Sequence, residues 1–128
     1  MNTEQQSSHE EGPFYVYVIV RKDLTAEQQA VQVAHAALEA GFHSSKPQEP
    51  PNLVLLEVEN EESLLRAACK LERAQVKHHV FFEPDNEVGH SALAAGPLRG
   101  KVNRAHFKAY RLYRAADTGC RRSVPQGA

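Results

Sequence analysis

Asp85 and His90 stand five positions apart in the acidic, turn-rich stretch Glu83-Pro84-Asp85-Asn86-Glu87-Val88-Gly89-His90, and Ser91 follows directly. A carboxylate, an imidazole and a hydroxyl in one loop are the parts of a general acid and base with a hydrogen-bonding partner, because an unperturbed imidazole changes charge near neutrality. Asp85 equally suits a turn former, following Pro84 and capping its own backbone. A second polar set, Gln28, Gln32, His35 and Glu39, recurs at i, i+4, i+7 and i+11. At about 100° per residue these four share a helical stripe roughly 60° wide, and the plain reading of such a stripe is a solvated face.

Metal chemistry finds no support. His78 and His79 are adjacent, so on a strand they face opposite sides, and no H-x-x-E-H or H-x-x-x-H spacing is present. The chain also lacks a P-loop and a G-x-G-x-x-G run, which leaves no expected metal or nucleotide cofactor.

The elements that must position these residues begin with Phe14-Tyr15-Val16-Tyr17-Val18-Ile19-Val20, a seven-residue apolar run suited to a strand buried on both faces. After Arg21-Lys22-Asp23-Leu24 a helix runs from Thr25 to Gly41. Thr25 and Gln28 form a T-x-x-Q capping box, and the glycine suits a left-handed stop. Ala26, Ala30, Val33, Ala34, Ala37 and Leu38 make its expected sheet-facing side. Three prolines fix the loop from His43 to Pro51, and Asn52 to Val58 reads as a second buried strand, parallel to the first through a right-handed crossover.

Asn60 caps a second helix carrying Leu64, Leu65, Ala67, Ala68, Leu71 and Ala74, with Glu62 and Arg66 in the favourable i, i+4 order. Cys69 falls within that apolar pattern and reads as a small core residue. His78 to Glu83 forms a third strand and Ser91 to Ala95 a fourth, stopped by Gly96-Pro97. A short basic helix follows from Leu98 to His106, and the alternating stretch Phe107 to Tyr113 suits an edge strand, which raises the possibility of a homodimer. The expectation is one α/β domain over residues 13–114, a mixed four-stranded sheet in β-α-β-α-β-β order covered by helices. An acidic disordered tail over 1–12 and a basic flexible tail over 115–128 flank it.

Charge is balanced overall at −1 but unevenly spread. Arg99 to Arg122 holds eight basic residues against Asp117 alone. A solvated helix and tail explain that run as well as a basic binding surface does. Two cysteines, Cys69 and Cys120, are too few for a disulfide framework, and no apolar run approaches the roughly 20 residues of a spanning helix. These features suggest a soluble protein of the reducing cytoplasm.

Several segments together resemble the type 2 peptidyl-tRNA hydrolases. Val18 to Leu24 looks like that family's first strand and R-x-D-L turn, and Gln32-Val33-Ala34-His35-Ala36-Ala37 is similar to its Q-C-x-H-A-x helix motif. Glu59 to Leu71 resembles its second helix. Glu83-Pro84-Asp85 leading to Ala92-Leu93-Ala94-Ala95-Gly96-Pro97 is similar to the segment holding its aspartate, threonine and closing G-P. Coverage runs from Tyr17 to Tyr113, in the manner of a divergent bacterial or phage-type member. Two departures stand out. The family's lysine at the helix entry is missing from Thr25-Ala26-Glu27-Gln28-Gln29-Ala30, and its D-A-G-x-T segment is replaced by Asp85 to Ser91, with His90 or Ser91 near the threonine position.

The resemblance implies hydrolysis of the ester between a peptide and tRNA. Asp85 would then be the base and His90 its orienting partner, Gln32 or Ser91 would donate hydrogen bonds, and Lys22 would reach a phosphate. Gln28, His35, Lys101 and Arg104 complete the implied substrate-binding set, and tRNA is the implied partner. Loss of the lysine leaves open a non-catalytic RNA- or protein-binding module on the same fold. Hydrolysis of a different small ester or amide is a third reading. Each residue also has a plain role: His35 as a packing histidine, Gln32 bonded to a neighbouring loop, and Lys22-Asp23 as a turn whose aspartate meets the helix N–H groups.

Overall fold

The computed structural model describes residues 11–115. The N-terminal tail up to residue 10, and Asp117, Cys120, Arg121 and Arg122 of the C-terminal tail, lie outside the described residues. The elements are β1 (Tyr15–Arg21), α1 (Ala26–Phe42), β2 (Asn52–Val58), α2 (Glu61–Arg73), β3 (His78–Glu83), β4 (Gly89–Leu98), the single turn α3 (Lys101–Arg104) and β5 (Arg111–Leu112). They form one sheet in the order β3-β4-β1-β2-β5. β1 is parallel to β2 and antiparallel to β4, and β4 is antiparallel to β3. The ends of β1, β2 and β3 therefore meet the start of β4 at one end of the sheet, called the upper end below. The starts of those three strands meet the end of β4 at the lower end.

β1 is central because it is apolar on both faces. Tyr17 and Ile19 pack with Leu56, Leu64, Ala67, Leu71, Leu93 and Phe107 on the α2 side. Val16, Val18 and Val20 pack with Ala36, Ala40, Ala92 and Ala94 on the α1 side. The Thr25 hydroxyl accepts from Gln28 N at 3.1 Å while Gln28 Oε1 accepts from Thr25 N at 2.9 Å, completing the capping box. Asn60 caps α2 through Ser63 N at 2.9 Å.

The sheet has five strands rather than four. The fifth is two residues of the expected Phe107–Tyr113 strand, Leu112 opposite Leu56 and Arg111 opposite Glu57. The earlier part is helical turn instead, since the Phe107 ring turns inward to stack on Tyr17 at 4.1 Å. β4 does not stop at Gly96-Pro97 but continues to Leu98. A register shift between Tyr15 and Tyr17 accommodates the proline, which has no N–H for the ladder. Gly96, at φ +114°, is required there, because a Cβ would sit 2.6 Å from the Tyr15 carbonyl oxygen. The last helix is shorter than expected, starting at Lys101 rather than Leu98. α1 runs past Gly41 to Phe42.

α1 is also rotated from its expected setting. Its buried residues are Gln29, Gln32, Ala36 and Ala40, whereas Ala26, Ala30, Ala34 and Leu38 are exposed. The polar stripe thus borders the sheet, and His35 stacks on Phe81 at 4.3 Å. Leu38 and Phe42 instead join Leu53 along an open apolar trough. Cys69 lies on the outer side of α2 and is exposed, not core.

Candidate active site

The groups with chemistry gather at the upper end, where the C-terminal ends of the three like-directed strands meet both helix N-termini. Open α/β sheets place their ligands at that end. The local cause is a bulge. Phe81 pairs with Ala92 but Phe82 with His90, so Ser91 is the extra residue and turns to the α1 face. Its hydroxyl donates to Gln32 Oε1 at 2.5 Å, and Gln32 Nε2 donates to Glu83 Oε1 at 2.8 Å. Glu83 Oε2 accepts from the Asp85 N–H at 3.2 Å. The Gln32 amide, followed by that N–H, holds the Glu83 carboxyl below the usual carboxylate range.

Asp85 opens a 3₁₀ turn in which Asn86 and Glu87 both take positive φ, near 56° and 57°. Asparagine tolerates this conformation, while a glutamate there is uncommon. The turn leaves Asp85 exposed at the mouth of a cleft of about 270 Å³ lined by Glu27, Gln28, Val31, Gln32, Glu83, Asp85, Asn86 and Val88. Because Gln28 Oε1 faces the Thr25 N–H, its amide N–H₂ is the end left for the cleft. Among the described residues, no Lys or Arg lines this cleft.

His90 is on the other side of the sheet. Its ring meets Phe82 edge-on at 4.9 Å, and its Nδ1 lies 3.1 Å from Glu61 Oε2 at the start of α2. The same oxygen accepts from the His90 N–H at 2.9 Å, and these two bonds hold Glu61 below the usual carboxylate range. The expected Asp85–His90 pair is therefore not formed: Asp85 lines the α1-side cleft, and the carboxylate that orients His90 is Glu61. The bulge at Ser91 explains this, since it puts Ser91 and Ala92 together on the α1 face and so sends His90 to the α2 face.

Lys22 is occupied too. Its Nζ lies 3.4 Å from Glu57, a carboxylate only 3 % exposed that also meets Arg111 Nη2 at 3.0 Å and the Arg114 N–H at 2.9 Å. Burial pushes the Glu57 carboxyl up, but the Arg114 N–H, Arg111 and Lys22 together outweigh this and hold it below its ordinary value. Asp23 pairs with Arg21 at 2.9 Å rather than capping α1. Lys101 and Arg104 are remote. Arg104 Nε donates to Tyr17 Oη at 2.7 Å and its guanidinium lies 3.7 Å from the Tyr15 ring centre, at the lower end. At about 3.3 Å per residue, the six steps from Tyr15 to Arg21 put roughly 20 Å between the two ends of β1.

Three contributors escape the sequence reading. Glu83 looked like the last residue of a strand, and Glu61 like helix surface. Arg21 looked like a turn residue, yet it is buried and donates to the carbonyls of Val88 at 2.6 Å and His90 at 3.0 Å, pinning the β3–β4 turn to β1. A cation closing an apolar strand, with an aspartate two positions on, was the available signal.

Comparison with known proteins agrees with this architecture. Nothing among the curated proteins matches the chain. Among solved structures, a protein of unknown function from Agrobacterium tumefaciens superposes with a TM-score of 0.58 at 12 % identity, covering 81 % of this chain and 100 % of that one, a likeness of fold alone. The family model described as peptidyl-tRNA hydrolase PTH2 matches residues 14–113, which include every described element and the cleft between α1 and the β3–β4 turn. The chain belongs to the PTH2 family of peptidyl-tRNA hydrolases.

Proposed function

We propose that the chain hydrolyses the ester joining a peptide, or an N-blocked amino acid, to tRNA, and does so in the cleft between α1 and the β3–β4 turn. The observation that carries this reading is the hydrogen-bonded series Ser91–Gln32–Glu83, which braces an exposed Asp85 at the cleft mouth. Asp85 takes a proton from water, and the hydroxide adds to the ester carbonyl carbon. The Gln28 amide N–H₂ donates to the oxyanion that develops. Collapse of the tetrahedral intermediate breaks the bond to the ribose oxygen, which takes the proton back from Asp85. A peptide acid and a free tRNA hydroxyl result.

In this scheme Gln32 and Ser91 position groups rather than touch substrate, because both ends of the Gln32 amide and the Ser91 proton are already committed. His35 packs, and Lys22 serves Glu57. With a neutral donor in place of a cation, oxyanion stabilisation is weaker, and a slow enzyme is expected.

The deciding experiment is release of N-acetylated amino acid from acylated tRNA by the wild type, by Asp85→Asn and by His90→Ala. Turnover that vanishes in Asp85→Asn and persists in His90→Ala supports the mechanism. Equal turnover in wild type and Asp85→Asn refutes it. A cleft without a Lys or Arg among its described lining residues favours a second reading, a non-catalytic binding module, and no release by wild type alongside retention of tRNA would establish that one.

A further inference from the structure

The lower end of the sheet has the opposite electrostatic character to the cleft. Two grooves flank the start of β1. On the α1 side, a groove of about 390 Å³ is lined by Phe14, Ser44, Ser45, Lys46, Lys77 and Pro97 among others. On the α2 side, one of about 400 Å³ runs from its basic end at Lys101, Arg104 and Lys108, past Tyr17, Phe107 and Tyr110, to Leu56 and Leu112 at the middle of the sheet. Among the described residues, no aspartate or glutamate lines either groove. Arg99 bridges them in sequence, with its guanidinium 4.5 Å from the Phe14 ring centre, as Arg104 does over Tyr15 at 3.7 Å. Stacking on an aromatic face fixes the plane of a guanidinium and leaves its N–H edges for an acceptor. Lys101 and Lys108 are exposed.

Resting on the tRNA-ester reading above, we propose that this collar of Lys46, Lys77, Arg99, Lys101, Arg104 and Lys108 docks the sugar-phosphate backbone of RNA, so that the ester is presented to a cleft about 20 Å away at the other end of β1. Charge complementarity requires this division. Among the described residues the cleft carries Glu27, Glu83 and Asp85 without a lysine or arginine and repels phosphates, whereas the collar is cationic in two concave grooves that fit a backbone ridge. Oriented guanidinium forks match phosphate oxygens, and exposed lysines add point charges.

The test is retention of deacylated tRNA across a salt series, by wild type, by the double variant K101E/K108E, and by R66E/K70E, which makes the same charge change on the outer face of α2. Loss of two phosphate contacts lowers the log–log salt slope by about 1.4 to 1.8, and affinity falls at least about tenfold at low salt. R66E/K70E stays within about twofold, as a screened surface change away from the contact does. Equal losses in both doubles, no retention of tRNA by wild type at low salt, or capture of anionic vesicles in preference to tRNA would each overturn the proposal. Deacylated tRNA has no ester, so this readout is independent of hydrolysis. Collar-dependent retention without ester cleavage sinks the proposed enzyme and leaves the collar standing. Cleavage with retention unchanged in K101E/K108E does the reverse.

Discussion

Ser91 and Gln32, 59 positions apart, share a hydrogen bond of 2.5 Å that ties the bulge of β4 to the middle of α1. Both residues are buried, Ser91 completely, so the bond lies where an unmet polar atom has no water to turn to.

Ser91→Ala leaves Gln32 Oε1 without its donor and is expected to cost about 1–3 kcal/mol, seen as a lower urea midpoint at unchanged slope. Gln32→Glu sets a second carboxylate against Glu83. Its destabilisation is expected to be larger at pH 7 than at pH 4, because one carboxyl of the pair takes up a proton on acidification. A midpoint for Ser91→Ala equal to the wild type, or a pH-independent deficit for Gln32→Glu, would contradict this account.

The same contact explains what the sequence does and does not disclose. β1 is legible because the seven apolar side chains from Phe14 to Val20 have no other comfortable place than a two-faced layer. β2 is legible as a strand from Leu53-Val54-Leu55-Leu56, but it is buried only in part, since Leu53 stays exposed. The capping box and the Asn60 cap are legible because they are local. The facing of α1 is not. Its apolar residues, the alanines together with Val31, Val33, Leu38 and Phe42, fan over roughly two-thirds of the helix circumference at about 100° per residue, so the apolar phase is weakly marked, and glutamine reads as surface although its two-ended amide satisfies buried partners. Gln29 Nε2 serves the carbonyls of Lys22 and Leu24, and its Oε1 accepts from the Tyr113 hydroxyl. The pairing of Asp85 with His90 fails for a comparable reason. One extra residue in β4 exchanges the faces, and a bulge has no signature in the alternation of Ser91-Ala92-Leu93-Ala94-Ala95.

Gly89 takes φ +79°, and a Cβ on it would lie 2.7 Å from Glu61 Oε2. Gly89→Ala therefore pays a backbone penalty of about 1–2 kcal/mol and also displaces the carboxylate that holds His90. In a double-mutant cycle with Glu61→Ala, the alanine at 89 is expected to cost less when the carboxylate is gone, because only the backbone term remains. Additive losses would show that the two sites do not touch in solution.

Arg111→Ala removes one of three donors from the buried Glu57 and unclips β5 from β2. Because folding lowers the Glu57 pKa, its stabilising share is complete above the unfolded value of about 4.3 and disappears as pH falls through the lower folded value. Without Arg111 the folded pKa moves back up. The variant is then expected to lose about 1–3 kcal/mol at pH 7, and this gap to wild type narrows below pH 4. A constant gap from pH 7 to pH 3, read from unfolding curves, would place the effect of Arg111 outside the Glu57 charge.

Phe107 and Tyr17 stack with ring centres 4.1 Å apart and planes within 2°, and Tyr17 in turn accepts from Arg104. This contact seats the basic segment on the sheet, so core packing and the cationic surface share one foothold. Phe107→Ala opens a cavity in the α2-side core and is expected to cost about 3–5 kcal/mol, a large fraction of a small domain's stability. Tyr17→Phe keeps the ring and removes only the acceptor for Arg104, a loss of about 1 kcal/mol. Under conditions where both variants remain folded, tRNA retention is expected to fall in Phe107→Ala, where Arg104 and Lys108 lose their footing, more than in Tyr17→Phe. Calorimetry and filter retention on the same preparations test this ordering. A stable Phe107→Ala with full retention would mean that the stack neither supports the core nor sets the cations in place.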